Sequence, residues 1–394
     1  MSDTSAHRPV VHDAIGPDIP LSQAIACLSL GVTSLLMAGV LPALLGALAD
    51  EHRLNAAGIG LTATFEALTM GIITGVSSVW LPPKRLKLIA TIALLSLAVA
   101  DFATTILSGV SVMAVRAFAG LPEGILLWIT VGMIARTVTP ERWAGVFFTA
   151  MVSAQFVIAI LYALWVLPDF SANGGFIGLA LASVVGLLAV PFLPRAFAPL
   201  ARSPDDPTGA PPPRGWFALF ATLIFVAGTS VVGVFLQPLA HEAGLATTVS
   251  NNALWVSLAA QIPGGLVATA LAGRVRYLTI FTVSTVVYIA SWLVFLVHPP
   301  GWMFISANAV AGFVGVLFAP FLVPMAIEAD PSRRAAVQSG GTQVLAGALG
   351  PFAASFVVAD NDVHGSILLG SVVVIMGLAL IAGLHFTAKR NDHP

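Results

Sequence analysis

Residues 116–124 read Arg-Ala-Phe-Ala-Gly-Leu-Pro-Glu-Gly, and they lie inside an apolar run from about residue 111 to residue 135. A run of this length is sufficient to cross a lipid bilayer as a helix. Arg116, Gly120, Glu123 and Gly124 are spaced i, i+4, i+7 and i+8, so they share one helical face. Charged groups at membrane depth are costly and usually functional, and glycines let another backbone approach closely. We therefore expect the rest of the chain to be organised around this helix.

The composition indicates a membrane protein. Of the 394 residues, 58% are hydrophobic and 9% are charged, with a mean hydropathy of +0.95, whereas soluble domains are about 25% charged. The net charge of -1 gives no reason to expect nucleic acid as a partner. Cys27 is the single cysteine, which excludes an intramolecular disulfide and a cysteine metal cluster. We find no phosphate-binding loop and no hydrolase or redox motif, so we expect no enzymatic activity, no cofactor and no metal.

Apolar runs recur along the whole chain, and each is close to the ~20 residues that a helix needs to cross the hydrocarbon. They lie at about residues 22–48, 56–80, 86–108, 111–135, 144–167, 174–194, 215–239, 249–273, 277–297, 302–327, 335–359 and 364–387. The predicted fold is therefore an all-α membrane protein with twelve transmembrane helices.

The distribution of basic residues predicts the topology. With the N-terminus inside, the inside segments hold every Lys and Arg except Arg53, in an outside loop, and Arg116, in a span. Such a bias places both termini in the cytoplasm. The polar first twenty residues have no apolar core, so we expect no signal peptide.

A proline- and glycine-rich break divides the spans into six and six. Such a composition is typical of an extended linker. The predicted units are a cytoplasmic tail, a six-helix bundle, a cytoplasmic linker, a second six-helix bundle and a second tail, at residues 1–21, 22–194, 195–214, 215–387 and 388–394.

The two bundles show traces of an internal repeat. Arg142 follows predicted span 4 and Arg333 follows span 10, and each lies two residues after a proline. When the halves are aligned on these two arginines, Arg116 of span 4 matches Asn308 of span 10 to within one residue. Each of the two precedes a glycine by four residues. These matches indicate duplication of a six-helix unit, and hence pseudo-symmetric bundles.

Twelve spans in a six-plus-six arrangement, with a cytoplasmic linker and inside termini, resemble the major facilitator superfamily over the whole chain. The pattern Arg116-xxx-Gly120-xxx-Gly124 is similar to the family's span-4 motif. The segment 79–87, Val-Trp-Leu-Pro-Pro-Lys-Arg-Leu-Lys, keeps the basic cluster of the family's loop 2–3 signature but lacks its acid and glycines. The resemblance implies a monomer with a substrate cavity between the bundles and alternating access by rocking of the bundles.

Four ionisable residues lie within spans: Glu66, Asp101, Arg116 and Glu123. Glu66 and Glu123 fall near mid-bilayer by helix rise, where desolvation favours a neutral carboxyl group. We predict them, with Asp101, as candidates for proton coupling; the alternative is a structural acid. Arg116 stays charged, so it needs a partner. It could pair with Asp101 across the hairpin, tune Glu123, or hold an anionic substrate.

Neutral polar residues within spans are candidates for substrate contacts, although each could equally form a helix–helix hydrogen bond. They are Asn308, Gln343, Gln261, Gln155, Tyr162 and Tyr288. The candidates for gating are Gly120, Gly124, Arg142 and Arg333.

These observations predict a proton-coupled secondary transporter in a bacterial inner membrane. Its partners are then a small-molecule substrate, protons and the lipid bilayer. The resemblance is strongest to the proton-coupled drug and sugar efflux branches, which implies proton antiport exporting a small neutral or cationic compound. The first alternative is a proton symporter that imports a sugar or organic acid, with Arg116 holding the carboxylate. The second is a membrane receptor or lipid-flipping protein without solute transport.

Overall fold

The computed structural model describes residues 19–200, 210–358 and 364–391, and its elements in these ranges are helices apart from one isolated β-bridge. Most of the predicted N-terminal tail, the middle of the predicted linker and the end of the C-terminal tail lie outside the described residues. We call residues 19–200 the first half and residues 210–391 the second half.

Seven α-helices make up most of the described first half. They are α1 (Leu21–Ser34), α2 (Leu36–Asp50), α3 (Ala56–Trp80), α4 (Leu86–Thr104), α5 (Val110–Ile134), α6 (Pro140–Leu161) and α7 (Leu167–Gly186). A π-helical turn, Tyr162–Val166, joins α6 to α7, and the backbone of Ser171 leaves helical geometry at φ 56 and ψ -162.

Eight α-helices make up most of the described second half. They are α8 (Pro213–Val231), α9 (Leu236–Glu242), α10 (Thr247–Leu271), α11 (Tyr277–Phe295), α12 (Gly301–Phe318), α13 (Leu322–Ala329), α14 (Arg334–Ala354) and α15 (His364–Asn391). Its apolar core includes Phe225, whose ring meets Phe281 and Phe318 edge-on at centroid distances of 5.0 and 5.1 Å.

Ten helical segments in the described ranges are long and apolar enough to cross a membrane, so the chain is a multi-pass membrane protein. One segment, Pro140–Phe192, has 53 residues and covers two predicted spans. Helix α14 occupies another predicted span but is not among the ten. The count of twelve spans therefore stays a prediction.

The two halves contact each other closely near the end where α5 terminates and α6 and α14 begin. We call this end, which holds Arg136, Arg142, Arg333 and Arg334, the arginine-rich end. Gly265 of α10 faces Thr149 of α6, and a methyl group at Gly265 would lie 3.1 Å from Thr149 Cα. Gly145 of α6 faces Thr269 of α10 in the same way, with 3.0 Å to Thr269 Cα. This reciprocal contact is the glycine–threonine clasp.

A second close contact joins α3 to α14. A methyl group at Gly341 would lie 2.7 Å from Gly71 O and 2.9 Å from Gly75 N. Glycine, which has no Cβ, lets two backbones come this near. At the opposite end of the first half, Arg53 donates from Nε to Leu107 O at 2.9 Å and from Nη1 to Asn173 Oδ1 at 2.8 Å, and so ties the α2–α3 loop to the α4–α5 loop and to α7.

Candidate functional site: a buried charge cluster beside a central cavity

Three carboxyl groups converge on the guanidinium of Arg116 in α5. Arg116 Nε donates to Glu66 Oε2 at 3.0 Å, and Nη2 donates to the other oxygen of the same carboxyl group. Nη1 donates to Asp101 Oδ1 at 2.6 Å, and Glu123 Oε1 lies 3.7 Å from Nη2. The structure thus brings together all four ionisable residues predicted within the spans, and we call them the charge cluster.

The charge cluster is closed to solvent. Arg116 is 0% exposed, and Glu66, the most exposed of the acids, is 5% exposed. The ring of Phe176 covers the guanidinium, with its centroid 5.5 Å from Cζ. Because burying a charge is costly unless it is paired and hydrogen-bonded, the carboxyl groups are what make a buried arginine tolerable here.

The glycines of the predicted helical face position Glu66. A methyl group at Gly120 would lie 2.5 Å from Glu66 O, and one at Gly124 would lie 2.6 Å from Met70 O. Helix α3 therefore packs directly on α5, and this contact places Glu66 beside Arg116. The structure places both predicted gating glycines within the first half, at the α3–α5 contact.

From the sequence, Arg116 was expected to pair with Asp101, tune Glu123 or hold an anionic substrate, and Glu66 was not predicted as its partner. The depth of Asp101 and Arg116 in adjacent antiparallel spans was enough to suggest their contact. The Glu66 contact depends on which face of α3 packs on α5, and the glycine spacing gave only an indirect signal. Among the described residues, no group of three or more His, Cys, Asp or Glu side chains is arranged to hold a metal ion.

A central cavity of about 400 Å³ lies between the halves and is separate from the charge cluster. Its wall on the first-half side is apolar and consists of Leu35, Leu127, Val131, Ile134, Ala144, Phe147, Phe148 and Met151. Three of these residues, Leu127, Val131 and Ile134, belong to α5. The same helix therefore carries Arg116 and Glu123 and forms part of the cavity wall.

The second-half wall of the cavity is more polar. Gln261, Tyr288 and Gln343, three of the predicted substrate contacts, all line it, as do the hydroxyl-bearing Thr229 and Ser339. Thr229 and Ser339 donate to carbonyls of their own helices at 2.8 and 2.7 Å. The sequence offered no signal that would have singled out these two residues.

The other three predicted substrate contacts bind backbone carbonyls elsewhere. Asn308 Nδ2 donates to Ala253 O at 2.8 Å, Gln155 Nε2 donates to Leu35 O at 2.8 Å, and Tyr162 Oη donates to Gly175 O at 2.7 Å. These hydrogen bonds fasten helices and loops to one another, and none of the three side chains lines the cavity.

The two arginines predicted as gating residues, Arg142 and Arg333, differ in their contacts and exposure. Arg333 of the second half donates from Nη1 to Ala135 O at 2.9 Å and Thr137 O at 2.8 Å in the first half. Arg142, its predicted counterpart, is exposed. Burial lowers the pKa of Arg333, while the nearby charge of Glu141 acts in the opposite direction. Burial also lowers the pKa of Arg136 to about 10, so the Arg136 guanidinium remains cationic near neutral pH.

A further polar cluster lies at the arginine-rich end of the second half. Tyr277 Oη donates to Glu328 Oε1 at 2.8 Å, and His385 Nδ1 lies 2.9 Å from Tyr277 Oη. These residues line a second cavity of about 540 Å³ together with Arg274 and Arg276. His385 was not among the predicted site residues, because its partners are distant in the chain.

Known structures share the whole fold of this chain. The Escherichia coli transporter FucP, described as a fucose:proton symporter, was also solved in an outward conformation. That structure superposes with a TM-score of 0.71 at 12% identity, over 93% of this chain and 99% of FucP. The human organic anion transporter MFSD10 gives 0.70 at 13% identity, over 95% and 100% of the two chains. The proton:xylose symporter XylE gives 0.65 at 11% identity, over 91% and 93%.

The chain therefore has the fold of the major facilitator superfamily, as the sequence resemblance predicted. No protein-family model and no curated protein matches the sequence itself. At these low identities the structural likeness shows the fold, and the activity has to be argued from the site.

Proposed function

We propose that this chain is a proton-coupled secondary transporter, and not an enzyme, that moves a small organic solute through the central cavity by alternating access. The observation that carries the proposal is the ratio of three carboxyl groups to one guanidinium in the charge cluster. With every acid ionised, the cluster would hold two uncompensated negative charges inside the membrane. Like charges this close cannot all stay ionised in a buried site, so the cluster holds at least one proton.

Glu123 is the acid that we propose as the proton carrier. Glu66 and Asp101 each hydrogen-bond Arg116 directly, whereas the nearest contact of Glu123 with it is 3.7 Å. Removing or adding a proton at Glu123 therefore breaks no direct hydrogen bond to Arg116. Leu127 follows Glu123 by about one helical turn and lines the cavity, so α5 connects the proton site to the solute site.

The direction of coupling that we propose first is antiport, with export of the solute. Symport is the second candidate because FucP and XylE are both described as proton symporters. The first experiment is to measure proton release or uptake in weakly buffered detergent when candidate solutes are added to the purified protein. Release that is lost in Glu123→Gln but kept in Asp169→Asn, an exposed acid, supports antiport at Glu123.

Other outcomes of this experiment would favour symport, contradict proton coupling or assign the proton to a different acid. Uptake of protons on solute binding favours symport. Saturable solute binding with no proton movement at any pH contradicts proton coupling. Proton movement that survives Glu123→Gln but disappears in Glu66→Gln transfers the role to Glu66.

We also propose the finer topology: twelve spans in two bundles at residues 22–194 and 215–387, cytoplasmic termini, and a monomer in a bacterial inner membrane. The bias of basic residues supports a cytoplasmic arginine-rich end. The close contacts between the halves at that end then support an outward-facing state. Single cysteines placed at Arg142 and at Asp169, in a Cys27→Ser background, test the topology. A membrane-impermeant maleimide added to intact cells should label only the cysteine at position 169.

A further inference from the structure

We propose that the central cavity takes an uncharged, amphipathic solute whose polar groups bind Gln261, Tyr288 and Gln343, while its apolar side packs on the first-half wall. This inference rests on the proposed function for the statement that the bound solute is transported. It narrows the substrate class, which the charge cluster alone leaves open.

The charge of the cavity lining disfavours a charged solute. Among the described residues that line the cavity, none is Asp, Glu, Lys, Arg or His. Arg116 is fully buried among Glu66, Asp101 and Glu123 and is not part of the lining. A carboxylate or ammonium group in the cavity would therefore lose water without gaining an opposite charge, which is strongly unfavourable. This argues against an organic acid held by Arg116.

The second-half wall of the cavity presents polar side chains that a solute can satisfy. Within the part of the chain that the structure describes, Gln261, Tyr288 and Gln343 line the cavity, and no protein hydrogen bond to their side chains is found. Each amide offers two donors and an acceptor, and the phenol offers one donor and can accept. Polar groups in a half-buried wall are stable when a ligand or water satisfies them. The three residues come from α10, α11 and α14, so they converge on the cavity from three helices.

The position of the Tyr288 hydroxyl is fixed by aromatic packing. Its ring lies 5.2 Å from the ring of Trp292 and 6.3 Å from that of Phe318, measured between centroids. A hydroxyl held in this way is preorganised for a ligand, and preorganisation reduces the entropy lost on binding.

The first-half wall of the cavity suits the apolar side of a solute. Phe147 and Phe148, with Leu35 and Met151, give the first-half side an apolar and partly aromatic surface. The volume of about 400 Å³ lies in the range of small-molecule sites, roughly 300–1,000 Å³. The complementary solute carries hydroxyl, carbonyl or amide groups on one side and an apolar ring or chain on the other.

The test uses probes that share a skeleton and differ in charge. One set is 4-phenylbutanamide, 4-phenylbutanoate and 4-phenylbutylammonium; another is phenyl β-glucoside and phenyl β-glucuronide. Dissociation constants are measured at pH 7 by isothermal titration with the full chain in lipid nanodiscs. We expect a neutral member to bind and its charged counterparts to bind at least about tenfold more weakly. Charged members that bind as tightly as neutral ones, or no binding by any neutral member, would overturn the proposal.

Variants test whether the named residues form the site. Gln261→Leu, Gln343→Leu and Tyr288→Phe should each weaken binding of the neutral probe by about fivefold, the effect of one lost hydrogen bond. Gln237→Leu is the matched control, because Gln237 belongs to the same half and does not line the cavity. Unchanged affinity in all three variants would place the probe elsewhere and contradict the assignment.

A variant that binds a charged probe more tightly provides a check, because misfolding cannot increase affinity. Gln343→Glu places a carboxylate in the cavity, so this variant should bind 4-phenylbutylammonium at least about tenfold more tightly than the wild type does, and Gln237→Glu should not. Equal binding in the two variants counts against the proposal. The proton measurement separates the two claims: neutral binding without proton movement contradicts coupling alone, whereas proton-coupled movement of only the charged probes contradicts the substrate class alone.

Discussion

At the scale of single residues, Arg116 is the side chain that connects the buried acids of the first half. It is the common partner of Glu66, Asp101 and Glu123, and it is fully buried. Removing one partner of a buried ion pair leaves an uncompensated charge, which usually destabilises a protein by about 3–5 kcal/mol. Here the remaining groups would be three carboxyl groups with no cation.

We therefore expect Arg116→Met to lower the free energy of unfolding by about 3–5 kcal/mol at neutral pH. Thermal unfolding in detergent at neutral pH measures the effect. Arg142→Met is the control, since Arg142 is exposed, and it should change stability by less than about 0.5 kcal/mol. Equal losses in the two variants would contradict the role assigned to Arg116.

The residues of the cluster were predictable from the sequence, but their full arrangement was not. Asp101 and Arg116 lie at similar depth in adjacent antiparallel spans, so local geometry suggested their contact. Glu66 lies on α3, and its position beside Arg116 depends on the rotation of α3 about its own axis. That rotation is fixed by the close approach to Gly120 and Gly124, which is a tertiary contact.

At the scale of helices, the glycine–threonine clasp joins α6 to α10 with reciprocal geometry. Gly145 and Gly265 each face a threonine of the other helix, and each threonine is four residues after its own glycine. Thr149 Oγ1 and Thr269 Oγ1 also donate to Gly145 O and Gly265 O at 2.8 and 2.9 Å. The hydroxyls are thereby satisfied within their own helices, so the halves can separate here without leaving unpaired groups.

We expect Gly265→Ala to favour separation of the halves at the arginine-rich end, because the added methyl group would lie 3.1 Å from Thr149 Cα. Overpacking of this kind costs about 1–3 kcal/mol, which shifts a two-state equilibrium by roughly 5- to 150-fold. The measurement is the rate of maleimide labelling at Ile134→Cys, a cavity-lining position, in a Cys27→Ser background.

The matched control for this prediction is Gly347→Ala, since a methyl group at Gly347 would meet nothing within 4 Å. Gly265→Ala should speed labelling at position 134 from the arginine-rich side, and Gly347→Ala should leave it unchanged. If neither variant changes the labelling rate, the clasp does not limit access to the cavity.

Helix boundaries show the limits of hydropathy as a guide. The spans predicted at 144–167 and 174–194 are joined in the structure through a π-helical turn and a positive φ at Ser171. Apolar composition located both spans, but it carries no information on a change of direction that a single backbone conformation produces. Next to Ser171, Ala172 N donates to Glu51 Oε1 at 2.9 Å. This hydrogen bond is likewise a tertiary contact.

At the scale of the whole molecule, alternating access requires the halves to part at the arginine-rich end in one state. A methyl group at Gly265 would lie 3.2 Å from Thr149 Cβ, close to the roughly 3.5–4.5 Å between the Cβ atoms of a disulfide. We expect oxidation of the Thr149→Cys/Gly265→Cys double variant, in a Cys27→Ser background, to stop solute flux into proteoliposomes. Reduction should restore the flux.

Each single cysteine variant, treated with the same oxidant, is the control for this cross-link. Full flux through the oxidised double variant, with the disulfide confirmed by mass spectrometry, would mean that transport proceeds without separation at the clasp. The sequence predicted two halves from the linker and the repeat. It could not predict where they touch, because glycine–glycine and glycine–threonine contacts leave no periodic signal of their own.

The low hydropathy of α14 has a consequence for insertion of the protein into the membrane. It is not apolar enough to be counted among the membrane-crossing segments, yet its glycines press on two neighbours, Gly341 on Gly71 of α3 and Gly350 on Ala227 of α8. A segment that partitions weakly into lipid enters the bilayer reliably only when protein surfaces receive it. During synthesis α3 and α8 emerge from the ribosome well before α14. The close contacts of Gly341 and Gly350 therefore make insertion of α14 depend on the earlier presence of α3 and α8.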